Sequence, residues 1–157
     1  MRPFATLLLA ALLAPAAAGC GKAVDLAQAT RLTDMSSGWF DAGVKDGQNK
    51  LVPSITFRIV RNPGTDISSL ALNVAFKITG DQDTSEDVYV QSVDFVGDAT
   101  APITVRSNFG YTGEQPRAEM LAHSQFRDME ARVFAKQSSS QWVPLGDVKI
   151  ARLLLTH

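Results

Sequence analysis

Apolar and polar residues alternate along most of the chain with a period of two. That is the pattern of strands that bury one face and wet the other. Ile55, Phe57 and Ile59 alternate with Thr56, Arg58 and Val60, and Leu70, Leu72, Val74, Phe76 and Ile78 with Ala71, Asn73, Ala75 and Lys77. Between these runs, Asn62-Pro63-Gly64-Thr65-Asp66 is dense in turn formers. Val88 and Val90 start another strand, but its apolar positions shift phase to Val93 and Phe95, which predicts a bulge or a break near Ser92. Ile103 and Val105 form a short strand, and Met129, Ala131, Val133 and Ala135 a longer one. Val148, Ile150 and Arg152 to Leu155 form the last. An early strand around Trp39, Phe40 and Val44 pairs through an Asp46-Gly47 turn with the strand that begins near Leu51.

One segment breaks the alternation. Pro116 to His123 has no β-branched residue, consists largely of good helix formers and opens with a proline suited to a first helical turn. The pattern predicts one short helix there. Some seven or eight strands with one short helix predict an all-β domain, an antiparallel β-sandwich, with a small closed barrel as the main alternative. The alternation excludes a parallel sheet, whose strands are apolar on both faces. The passage from Ile59-Val60-Arg61-Asn62 through Pro63-Gly64 into Leu70–Phe76 loosely resembles small Ig-like sandwich modules of bacterial envelope proteins, including those of FxLYD type. The resemblance implies a fold and carries no functional residues.

The N-terminus follows different rules. Arg2 precedes an apolar run from Phe4 to Leu13, then Pro15 and the small residues Ala16 to Gly19. This is the layout of a secretory signal peptide, and the run is too short to span a bilayer comfortably. Cys20 follows directly and is the only cysteine in the chain. The segment Ala17-Ala18-Gly19-Cys20 resembles the lipobox of bacterial lipoproteins, with Ala17 where that family usually has leucine. The resemblance implies cleavage before Cys20 and lipidation of its thiol. It divides the chain into a signal peptide (1–19), a lipidated tether (20–30) and a β-domain (31–157). With Gly21 and Lys22 after the cysteine and no aspartate beside it, the resemblance implies a cell-envelope location. In a diderm host this is the periplasmic face of the outer membrane.

Charge narrows the partners. A formal net charge of −1 leaves no basic footprint for nucleic acid. Candidate chemistry is sparse. Of the two histidines only His123 lies inside the domain pattern, and it reads as a surface residue at a helix end. Asp81, Asp83 and Asp87 have a spacing that can present loop oxygens to calcium, but the positions that an EF-hand loop gives to glycine and glutamate hold Glu86 and Ser92. The loop therefore reads first as a solvated hairpin. Gly110-Tyr111-Thr112-Gly113 lacks the Gly-Lys-Ser/Thr ending of a phosphate loop and reads as a turn. Trp39, Phe40, Phe109, Tyr111 and Trp142 are the aromatic candidates for a binding surface. No cofactor is implied and no catalytic residue can be nominated. The expectation is a non-catalytic envelope lipoprotein that touches the membrane through its lipid and engages an envelope protein. The alternatives are a small-ligand, glycan or calcium-binding lipoprotein and, further off, a carboxylate-based hydrolase.

Overall fold

The computed structural model of the protein describes residues 24–155. Cys20 and the signal-peptide segment lie outside the described residues. In chain order the elements are α1 (Leu26–Ala29), β1 (Thr30–Lys45), β2 (Gln48–Arg61), β3 (Ser69–Ile78), β4 (Glu86–Val96), β5 (Ala99–Thr100), β6 (Ile103–Arg106), β7 (Tyr111–Gly113), α2 (Arg117–Ala122), β8 (Met129–Lys136), β9 (Val143–Lys149) and β10 (Leu154–Leu155). The domain is all-β with two short helices.

The strands form one hydrogen-bonded sheet in the order β10-β1-β2-β5-β4-β3-β8-β9, with β6 and β7 also paired to β2. The β1–β2 turn is built as its sequence demands. Asp46 (φ 52°) and Gly47 (φ 79°) are both left-handed, and Lys45 faces Gln48. Along β3, Leu70, Leu72, Val74 and Phe76 turn inward, and β8 matches them with Met129, Ala131, Val133 and Ala135. They meet Ile55, Phe57 and Ile59 of β2 in a single core. Each large apolar side chain buried there contributes about 1.5–3 kcal/mol. The bulge lies where the phase shift placed it. Leu70 faces Val93 and Leu72 faces Val90, so Gln91 and Ser92 together oppose Ala71.

The sheet is curled. Strand β4 runs beside β3, then passes into a hairpin with β5 (Val96 opposite Ala99), and Ala99 in turn pairs with Val60 of β2. At the other end, β9 and β10 stand at opposite limits of the strand order, yet only residues 150–153 join them. Four residues span at most about 14 Å, so the two edges must approach each other. Ser37 on β1 closes the gap: its Oγ donates to Lys149 O (2.9 Å) and accepts from Ala151 N (3.0 Å).

The all-β expectation holds, with the strands in one continuous curled sheet. Two expectations are corrected. The last strand is broken in two, because Ile150 turns into the core and the chain leaves the β9 edge to reach β1. Residues 24–30 are not free tether: Asp25 caps α1 through the Ala27 N–H (3.1 Å), and Leu26 and Ala29 are buried. Two apolar residues on one helical turn are too short a signal for periodicity to detect.

Gly38 makes the contact between β1 and β10 possible. A Cβ there would stand 2.7 Å from Leu153 O and 2.8 Å from the Leu155 side chain. Gly38→Ala is expected to push β10 off β1 and break the Trp39 N–Leu153 O bond (2.7 Å). Hydrogen exchange should show the Trp39 amide losing protection while amides of β3 and β8 keep theirs.

Candidate functional site

The aromatic residues nominated by the sequence separate into core and surface. Trp39 is completely buried, so it is not a surface anchor. The pleat of β1 turns it inward and Phe40 outward, where the Arg106 guanidinium lies 3.7 Å over the Phe40 ring. Trp39 packs edge-on against Phe126 (4.7 Å) and tilted against Tyr111 (5.5 Å). Tyr111 donates its hydroxyl to Arg127 O (3.2 Å), and burial pushes its pKa up, partly opposed by Arg127, so it stays a protonated donor at neutral pH. Together with Gln115, Met120, His123, Gln125 and Phe126 it lines a cleft of about 260 Å³ beside α2. His123 Nδ1 accepts from Gln125 N (3.2 Å), which places the proton of a neutral ring on Nε2. Gly110 is set by packing: a Cβ there would lie 2.0 Å from Leu51 O.

Phe109 is partly exposed on a loop held by Glu86. Glu86 Oε2 accepts from Ser107 Oγ (2.5 Å) and the N–H groups of Asn108 (2.6 Å) and Phe109 (3.2 Å), and Oε1 accepts from Asn108 Nδ2 (3.1 Å). Burial alone would raise the Glu86 pKa. These donors outweigh it and hold the carboxyl below its ordinary value. The three aspartates considered for calcium are not gathered. Asp81 is bound by Arg127 (2.6 Å), Asp83 is exposed, and Asp87 accepts from Asn73 Nδ2 on the sheet face (3.1 Å). Among the described residues no three His, Cys, Asp or Glu side chains are grouped to hold a metal ion.

A different surface brings exposed aromatics together. On the outer face of the β4-β3-β8-β9 half, register places Tyr89, Asn73, Phe134 and Pro144 in one row across the strands, and Asp87, Ala75, Arg132 and Asp147 in the next. Tyr89 and Trp142 are 62% and 36% exposed, yet their rings are 6.1 Å apart. Trp142 directly precedes β9, three strand spacings from β4, or about 14 Å. It therefore leans across the sheet towards Tyr89, with Lys136 Nζ 4.7 Å from its ring. Ala71 leaves the room. A cleft of about 260 Å³ opens here between Ala71, Tyr89, Gln91, Lys136 and Trp142. A second, of about 290 Å³, lies further along β3, lined among others by Asn73, Ala75, Asp87, Arg132 and Phe134. Sequence reasoning singled out Trp142 and missed Tyr89. The signal for Tyr89 was present: it occupies a polar-phase position between Val88 and Val90.

No protein-family model matches the sequence, and no curated protein does. Among solved structures, the chain is similar to one titled "X-ray structure of Northeast Structural Genomics Consortium target SoR45". The identity is 13% and the TM-score 0.43, covering 84% of this chain and 96% of that one. A likeness at this level transfers neither fold nor function.

The Glu86 cradle sets an acid limit. With its folded pKa depressed, the folded state binds fewer protons than the unfolded state as pH falls below about 4.3. The stabilisation is complete above that pH and is lost as pH drops through the depressed value. Glu86→Gln is expected to lower the thermal midpoint at pH 7 and to flatten its decline between neutral and acid pH. Melts followed by circular dichroism across that range check both.

Proposed function

We propose that this protein is a lipid-anchored, non-catalytic binding module of the bacterial cell envelope. Cys20 holds it to the membrane, and it presents the outer face of the β4-β3-β8-β9 half to another envelope component. The observation that carries the reading is the exposed Tyr89–Trp142 pair on a hydrogen-bonded sheet face. Aromatic side chains offer a large contact area at little conformational cost, and a sheet holds them in place before the partner arrives. The Ala17–Cys20 segment supports the anchor. Each buried methylene of an acyl chain contributes about 0.8 kcal/mol, so two or three chains on one cysteine make a durable attachment.

The leash is short. Val24 already packs against the core, and the four residues from Cys20 to Val24 span at most about 14 Å. The domain therefore works close to the headgroups, on the periplasmic face of the outer membrane if the host is diderm. We read the two halves of the curled sheet as the faces of a distorted Ig-like sandwich, joined where β4 passes into β5; the shared core supports that reading.

The test is in vivo crosslinking and membrane fractionation of the full chain beside Cys20→Ala. The full chain is expected in the membrane fraction with a specific envelope component attached. Cys20→Ala should become soluble and lose most of that capture. If the full chain itself fractionates as soluble, the anchor is wrong. If nothing is captured from membranes, the binding reading fails.

A further inference from the structure

We propose that the trough along the outer side of β3 binds a neutral oligosaccharide chain. The proposal rests on the reading that this face is the binding face, and it names the ligand class. The floor of the trough is small: Ala71, Asn73 and Ala75 lie on the outer face of β3, between Ser69 and Lys77. The neighbouring strands supply larger walls, with Tyr89 and Asp87 on β4 and Phe134 and Arg132 on β8. The two clefts along this floor are open and follow one another in sequence register. The whole is a shallow channel, with Tyr89 and Trp142 beside one cleft and Asp87, Arg132 and Phe134 beside the other.

Charge argues for a neutral occupant. Two ion pairs border the channel: Arg132 with Asp147 (2.6 and 2.9 Å) and Lys77 with Glu130 (3.0 Å). Asp87 accepts from Asn73, and Lys136 rests over Trp142. The Arg132 guanidinium holds the Asp147 carboxyl below the usual aspartate range, so this pair stays ionised at neutral pH. A charged ligand would have to compete with these partners. A sugar hydroxyl donates and accepts, so it can bind beside each pair without breaking it. Asn73 Oδ1, buried at the centre of the floor, has no hydrogen-bond partner and is the acceptor that such a hydroxyl would satisfy after a small side-chain adjustment.

The same pattern disfavours a protein occupant. The core of a protein–protein interface is depleted of charge and built around an apolar anchor. Here Asn73 stands between Tyr89 and Phe134, and the charged pair of positions Asp87 and Arg132 occupies the next row, so no purely apolar centre forms. That arrangement suits a chain of rings, each with an apolar face to stack on Tyr89 or Trp142 and a hydroxyl edge to bond further along.

The chain carries its own probe. It has two tryptophans: Trp39, buried in the core, and Trp142, at the trough. The experiment uses the full chain in a sugar-free detergent, titrated with cellohexaose, chitohexaose and maltohexaose in turn. The readouts are the two indole N–H resonances and acrylamide quenching. One of the hexaoses is expected to shift the Trp142 resonance saturably and protect it from acrylamide, leaving Trp39 unchanged. Tyr89→Ala, at an exposed strand site where the fold is kept and the melting midpoint falls by a few degrees at most, should weaken that binding by about tenfold or more. The proposal is overturned if no hexaose gives a saturable shift, or if the shift survives Tyr89→Ala undiminished. Capture of an envelope protein that is lost in Tyr89→Ala, with no hexaose response, would also overturn it while leaving the binding-face reading intact. A soluble full chain would remove the anchor and leave the trough titration unaffected.

Discussion

One constraint governs the architecture: a single sheet must curl until its two edges can be joined by the four residues between β9 and β10. Arg152, in the middle of that link, secures it. Its guanidinium donates to Leu121 O (3.2 Å), Phe126 O (2.9 Å) and Asp128 Oδ1 (2.6 Å) and lies 5.2 Å from the Phe126 ring. Those carbonyls belong to the last turn of α2 and to the segment that follows it. One side chain therefore ties the crossing to the loop that delivers Phe126 to Trp39. Close approach does the rest, through Gly38 beneath β10 and Ser37 between Lys149 and Ala151. Without the curl, Trp39 would have no second layer to pack against, and the cleft beside α2 would not exist.

Much of this fold was legible in the order of apolar residues. The alternation of β3 and β8, the bulge near Ser92 and the Asp46-Gly47 turn are local, and each left a local signature. Closure was not legible. Alternation says which face of a strand is buried, but it does not say whether two buried faces belong to separate sheets or to one sheet bent over. That depends on where β4 leaves β3 for β5, and two residues, Ala99 and Thr100, are too few for a periodic signal. The end of β9 escaped for a related reason. Val148, Ile150 and the leucines after Arg152 keep apolar character across a point where the backbone changes direction, because residues on both sides still face the core.

The site was legible by residue type and not by position. Trp39 and Trp142 looked alike as exposed-aromatic candidates, and burial divides them completely. Trp39 is the inward residue of its pair with Phe40. Trp142 lies just outside a strand and is free to lean. Tyr111 and Asp81 stood apart in the sequence as candidates for different chemistries. The structure links them through Arg127, which accepts from the tyrosine at its carbonyl and binds the aspartate with its guanidinium. Both are engaged in holding the loop after α2, which explains why neither needs a ligand to account for it.

The outer faces of the two halves carry different kinds of residue. On β2, Thr56 is a favoured strand former whose Oγ1 lies 2.9 Å from Thr104 Oγ1 across the β2–β6 pair. Those residues serve the sheet. On β3, which is flanked on both sides, the middle positions of the outer face hold Ala71, Asn73 and Ala75 instead. Alanine and asparagine are depleted in strands, and Asn73 leaves an acceptor without a partner. The aromatic surface that would have strengthened the sheet is displaced onto its neighbours, Tyr89 and Phe134. The residues that depart from strand preference at the centre of the sheet are the ones the proposed trough uses as its floor, and Asn73 returns to the fold one cross-strand bond, to Asp87.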